Sequence, residues 1–360
     1  MSKVYNFSAG PATLPDAVME KARDEFVDFK GTGMGIVEHS HRGDAFKEVL
    51  GTTEADAREV MGLSDDFAVL FLQGGASLQF AMTAMNLAVD GKPMLYADTG
   101  SWTSKAIKEA KLFGDVKTVY SGKDQNYNCI GDPNDWDWGG DASYAYLCSN
   151  NTIYGTQYRT FPDTGDTPLI ADMSSDILSR VLDFNKFGAI FAGAQKNLGP
   201  AGVTFVVIRR DLAERVSAQV PTMLKYTTHI EKDSSFNTPP VFAIYMVGLV
   251  LQWIKGQGGL EAVQRINETK SDTLYTMIDN SDFYAGTAEP ADRSHMNVTF
   301  RITNTDLEPQ FLSEAAAAGL VGLKGHRSVG GIRASIYNAM PLAGVSALVD
   351  FMAEFESKNG

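Results

Sequence analysis

Cysteine is nearly missing from this 360-residue chain. The two present, Cys129 and Cys148, have neither zinc-site nor dithiol spacing, which excludes a disulfide framework and points to buried thiols in a reducing compartment. Histidine is also scarce, at five residues. Although His39 and His41 are close, no carboxylate pattern accompanies them, so no metal is expected. No apolar run suffices for a membrane helix: the longest, 241–254, is interrupted by Gln252. Positive charge is in deficit as well. Lys and Arg number 31 against 44 Asp and Glu, and the resulting charge of -13 argues against nucleic acid or an anionic membrane as partner. Any anionic ligand must therefore be gripped by a local basic cluster. The first fifteen residues lack an apolar signal core, and a cytoplasmic protein is expected.

What the chain does have is alternation. Seven β-rich runs, AVLFLQ, PMLYAD, VKTVY, YAYLCS, PLIADMS, AIFAG and VTFVVIR, are spread from about 67 to 209. Helical apolar spacing intervenes at 78–89 and 102–112. This predicts an α/β fold with a mostly parallel seven-stranded sheet flanked by helices, its ligands at the carboxyl ends of the strands. A long helix is expected over 241–254. Beyond Gly258 and Gly259 the pattern becomes helix 260–278, strand 295–302, helix 307–318, strand 332–336 and helix 343–357. The expected organisation is a large domain, 16–259, and a smaller α+β domain, 260–360, joined by the N-terminal segment 1–15. The acidic tract 124–141 is expected to be a surface loop.

Several stretches carry chemistry. Gly74-Gly75-Ala76-Ser77 follows a strand and opens a helix, which suits either an anion site or a plain capped turn. Asp172 ends the strand PLIAD, and Lys196 lies just past the strand AIFAG among small residues. Both should project into one crevice. A lysine there can form a Schiff base with an aldehyde cofactor while a carboxylate holds a pyridinium nitrogen protonated. A salt bridge between strand ends explains the pair equally well, and Asp98 is a rival carboxylate. Burial among Ala192, Gly193, Ala194 and Pro200 would lower the lysine pKa. Trp102 is placed to stack on a planar group. Two basic clusters, EHSHRG (38–43) and GHRSVGGIR (325–333), suit a clamp for phosphate or carboxylate.

In this order, these pieces resemble the phosphoserine-handling branch of the class V pyridoxal-phosphate-dependent aminotransferases, which have the aspartate-aminotransferase-like fold type I. The resemblance spans nearly the whole chain: NFSAGPATLP (6–15), SHRG (40–43), GGASLQF (74–80), NNTIYG (150–155), ADMSSDILSR (171–180), AGAQKNLGPAG (192–202), FNTPP (236–240) and KGHRSVGGIRASIYNAMP (324–341). The long lysine and GHR…GGIR motifs are its specific part.

The resemblance implies pyridoxal 5′-phosphate bound covalently by Lys196, with Asp172 at the ring nitrogen, Trp102 on the ring face and Thr152 at the phenolic oxygen side. Ala76, Ser77 and Gln195 would receive the cofactor phosphate, completed by Asn237 and Thr238 of a second subunit. Arg333 would take the substrate α-carboxylate, and His41, Arg42, His326 and Arg327 the substrate phosphate, in sites shared across a homodimer. The implied reaction is reversible transamination between 3-phosphohydroxypyruvate and L-glutamate in serine biosynthesis. The related oxo acid of pyridoxine synthesis is left open as a second substrate. Some family members have arginine at Ser77 and serine at Ala9, so this chain has fewer side-chain contacts there. A cysteine desulfurase would need a mobile catalytic cysteine, which neither Cys129 nor Cys148 suggests.

Overall fold

The computed structural model describes residues 4–360. All seven β-rich runs are strands of one sheet: β1 (Phe67–Leu72), β2 (Met94–Asp98), β3 (Val116–Ser121), β4 (Tyr144–Cys148), β5 (Leu169–Asp172), β6 (Ala189–Gly193) and β7 (Thr204–Arg209). Their spatial order is β1-β7-β6-β5-β4-β2-β3. Only β7 runs against the rest, pairing antiparallel with both β6 and β1. Its connection from β6 holds no crossover helix, and so short a return can join only antiparallel neighbours.

Strands covered on both faces must be apolar on both, hence the continuous runs. Val69 and Phe71 of β1 face one core, and Ala68, Leu70 and Leu72 the other. The first core is closed by helices α2 (Asp44–Met61) and α5 (Val241–Gly256), the second by α3 (Gly75–Leu87) and α4 (Ser101–Ala110); α1 (Asp16–Val27) packs outside α5. Among the described residues no helix is long and apolar enough to cross a membrane.

A third core lies between α6 (Gly259–Asp279), α7 (Glu308–Ala317) and α8 (Leu342–Asn359) and a three-stranded antiparallel sheet. That sheet is β8 (Tyr284–Gly286), β9 (Asn297–Ile302) and β10 (Ile332–Ser335). The N-terminal segment belongs with this core: Tyr5–Asn6 pairs in parallel with Leu320–Val321, and Phe7 is completely buried in it.

The tract 124–141 runs over the surface with little regular structure, as expected, but it is anchored. Its acids face outward, where Asp137 pairs with Lys117 and Asp141 with Lys92. Its apolar residues turn inward. Trp136 stacks on Tyr120 at 4.1 Å, Trp138 is buried with its indole N–H on the Pro133 carbonyl, and Asp292 accepts from the N–H groups of Ile130 and Gly131.

Candidate active site

The parallel strands bring their carboxyl ends to one edge, where a 330 Å³ cavity opens. Asp172 is the last residue of β5, and Lys196 lies three residues beyond β6. Both line the cavity, along with Ala76, Ser77, Trp102, Thr152, Gln195, His326 and Arg333. A larger cavity of 420 Å³ lies elsewhere and another of 510 Å³ adjoins this one at Ile153 and Arg333; neither is lined by a lysine–carboxylate pair.

The lysine and aspartate form no salt bridge. Lys196 Nζ donates to Thr152 Oγ1 at 2.8 Å. Burial pulls its ammonium pKa down, opposed by the Asp172 carboxylate, while the Arg333 charge pushes the same way as burial. Asp172 is 4 % exposed, and burial pushes its carboxyl pKa up. Opposing that, the Ser174 N–H and hydroxyl donate to Oδ1 at 2.9 and 2.6 Å. Oδ2 accepts no hydrogen bond among the described residues and is the atom left for a ligand.

An anion cradle lies opposite. Helix α3 starts from Gly74 in the left-handed region, φ 94°, with no side-chain cap. A Cβ at Gly74 would come within 2.4 Å of Leu78, so only glycine makes this turn. First-turn N–H groups have no partner within their own helix. Those of Ala76 and Ser77 find none elsewhere among the described residues, which makes them natural donors to an anion. Trp102 borders the same space, with an indole N–H that has no acceptor among the described residues. Lys196 Nζ is 5.7 Å from its ring centroid, and Lys105 covers the ring at 4.1 Å.

Arg333, on β10, closes the cavity from the third core. One guanidinium nitrogen donates to the Thr152 carbonyl at 3.2 Å, and the buried Nε has no partner among the described residues. His326 is held by Ser328 at 2.7 Å; its pKa is lowered by burial and then by Arg333, Arg327 and Lys105.

Five expected residues do not line this cavity: His41, Arg42, Asn237, Thr238 and Arg327. Arg327 and Arg42 are exposed. Asn237 donates to Gln73 at 3.0 Å, and the Thr238 carbonyl accepts from Gln73 at 3.4 Å. Asp98, the rival carboxylate, is occupied by Ser104 and Tyr127 outside the cavity. His39 meets Thr32, and among the described residues no group of three His, Cys, Asp or Glu is arranged for a metal.

Other residues of the site went unread in the sequence. Ser174 was visible as an Asp-x-Ser turn, in which a side chain caps the backbone two residues on. Asp176 gave no such signal; it is buried behind the site and accepts from Ser149 and from Gln157 at 3.0 Å. Cys148 lines the cavity floor beside Asp172, but burial drives its thiol pKa well up and the strand fixes it, which opposes a nucleophilic role.

Residues 4–348 match the family model described as aminotransferase class-V. The chain is 55% identical to the phosphoserine aminotransferase of Desulfatibacillum aliphaticivorans, over 100% of this chain and 99% of that one. Identity to the phosphoserine aminotransferase of Lysinibacillus sphaericus (strain C3-41) is 53%, covering 99% of each chain. The solved phosphoserine aminotransferase from Bacillus circulans subsp. alkalophilus has a TM-score of 0.98 at 50% identity, covering 100% of both chains. A pyridoxal-phosphate-bound phosphoserine aminotransferase from Trichomonas vaginalis has a TM-score of 0.92 at 37% identity, over 98% of this chain and 100% of that one.

Proposed function

The chain belongs to the class-V aminotransferase family, and from that premise we propose that it is a phosphoserine aminotransferase. It moves an amino group reversibly between L-glutamate and 3-phosphohydroxypyruvate, giving O-phospho-L-serine and 2-oxoglutarate. The observation that carries this is one cavity with Lys196 Nζ, a free oxygen on Asp172 and a free nitrogen on Arg333.

The residues present fit pyridoxal 5′-phosphate. When bound, it supplies an aldehyde for covalent attachment and a conjugated ring that accepts electrons from a substrate carbon. The uncapped N–H groups of Ala76 and Ser77, with Gln195, would hold its phosphate, completed by Asn237 and Thr238 of a second subunit. Asp172 Oδ2 would hold the ring nitrogen, Trp102 the ring face and Thr152 the phenolic oxygen side. Lys196 is the group that moves the proton to and from the substrate Cα. Burial lowers its pKa, which favours the neutral amine that accepts a proton. Arg333 takes the α-carboxylate common to both substrates.

The group unique to one substrate is the phosphate. His326 and Arg327, with the partner subunit's His41 and Arg42, form its clamp, and the glutamate side-chain carboxylate uses the same place. The homodimer this requires is supported by the exposed Phe26, Val27, Met34 and Val37, which precede His41 in the chain. A cytoplasmic location fits two free thiols. The division into domains 16–259 and 260–360, with 1–15 joining the second, is supported by the separate third core and by Phe7 within it.

The test is half-reaction spectroscopy of the cofactor with phosphoserine, glutamate and serine in turn. Phosphoserine and glutamate should convert it and serine should not; equal conversion by serine would remove the phosphate reading. Lys196→Ala should abolish turnover. Arg327→Ala should weaken phosphorylated substrates most, and undiminished discrimination between phosphohydroxypyruvate and pyruvate would refute the clamp.

A further inference from the structure

One charged side chain remains unexplained by this chemistry. Lys270, on α6, is completely buried. It has no carboxylate partner among the described residues. Its ammonium instead donates to three backbone carbonyls, those of Ile336 at 2.9 Å, Tyr337 at 2.7 Å and Asn338 at 3.5 Å. Burying an unpaired ammonium is among the costliest choices a core can make, and methionine would fill a similar volume without the charge. Three carbonyls converging on one point also repel each other when no cation sits between them. Neither Ile336 nor Asn338 offers its carbonyl to a backbone N–H.

The held turn connects the two sides of the site. It begins just after β10, which carries Arg333. The Asn338 N–H donates to the side chain of Asn197, the residue next to Lys196, at 3.0 Å. The Asn338 amide donates to the Leu178 carbonyl and accepts from Asn267, one turn of α6 away from Lys270. The Tyr337 hydroxyl donates to the carbonyl of Ala9, another residue of the cavity wall. The turn therefore sets the distance between the arginine on one core and the lysine loop on the other.

We propose that Lys270 is a positioning residue for substrate binding, its ammonium fixing the 336–338 turn so that Arg333 stands in register with Lys196. This rests on the transaminase reading above, since Arg333 matters as the α-carboxylate partner. Displacements of about 1 Å at such a partner are enough to cost large factors in rate.

The experiment compares Lys270→Met with the unsubstituted holoenzyme. KM for glutamate and for phosphoserine should rise together, by about tenfold, because the α-carboxylate is common to both. The preference between them should not change, because the phosphate clamp is untouched. Lys270→Arg, which keeps a cation, should recover most of the loss. A purely structural role would instead lower the active fraction, and with it kcat, at unchanged KM; that result overturns the proposal. If Lys270→Met is insoluble, Lys270→Gln replaces it under the same criterion. Amide hydrogen exchange across 333–338 reads the turn without turnover. Protection there must fall in the variant, and unchanged protection also overturns the proposal. If the unsubstituted enzyme converts neither amino acid, the transaminase reading fails by itself, and exchange alone decides whether Lys270 holds the turn.

Discussion

The two central side chains are displaced in opposite directions by one environment. Burial pushes the Asp172 carboxyl up and pulls the Lys196 ammonium down, so each leans toward its neutral form, and each charge partly restores the other. A lysine shifted toward its free amine, beside a carboxylate that a cationic ring nitrogen would favour, is what the proposed reaction requires. Arg333 offers a direct check. Replacing it with Gln removes charge-assisted bonds worth about 1.5–3 kcal/mol, roughly 10- to 100-fold in kcat/KM. The loss should be equal for phosphoserine and glutamate in steady-state assays, and loss confined to one of them would move the α-carboxylate elsewhere. At this scale Lys196 and Asp172 were legible because one follows and the other ends a recognisable strand. Asp176 and Lys270 were not, since the hydrogen-bond donors to the Asp176 carboxylate lie 19 or more residues away and the carbonyls that hold Lys270 lie 66 or more away.

Strands buried on both faces declare themselves as apolar runs, as six of the large sheet do; the half-exposed edge strand β3 was legible from its β-branched and aromatic residues instead. The two-residue strands Tyr5–Asn6 and Leu320–Val321, and the three-residue β8, are too short to show a period. The inward aromatics of 124–141 were hidden by the acids between them. Among the elements, the approach to β9 carries a pH-sensitive joint. His295 shares a 2.6 Å hydrogen bond with Ser271 of α6, and its backbone N–H donates to Gln157, which in turn bonds Asp176. Burial, then Arg159 and Arg180, lower its pKa to about 4. The unfolded chain, near 6.5, then binds more protons between pH 4 and 6.5, so this group's contribution is full above 6.5 and lost as pH falls through 4. The loss is about 3 kcal/mol. His295→Gln should flatten the acid limb of thermal unfolding midpoints measured across that window; an unchanged slope would dissociate His295 from it.

At the scale of the whole molecule, a chain of charge -13 binds anions only where a few cations are gathered, and part of the gathering is assigned here to a second copy. That has a direct consequence in mixtures. Lys196→Ala and Arg42→Ala, each impaired alone, should complement when unfolded and refolded together, because a heterodimer contains one site with both residues intact. Random pairing of two-fold dimers should restore about a quarter of the wild-type sites. No recovery would place Arg42 in its own chain's site. The pairing of Tyr5–Asn6 with Leu320–Val321 also bears on how the protein is made. The first strand to leave the ribosome must wait for one of the last, at about 5–20 residues per second a delay on the order of tens of seconds. During synthesis the large sheet can assemble while the amino terminus has nowhere to dock. The wall that includes Ala9 is therefore completed last, and truncated chains released early should hold a folded sheet without a closed binding site.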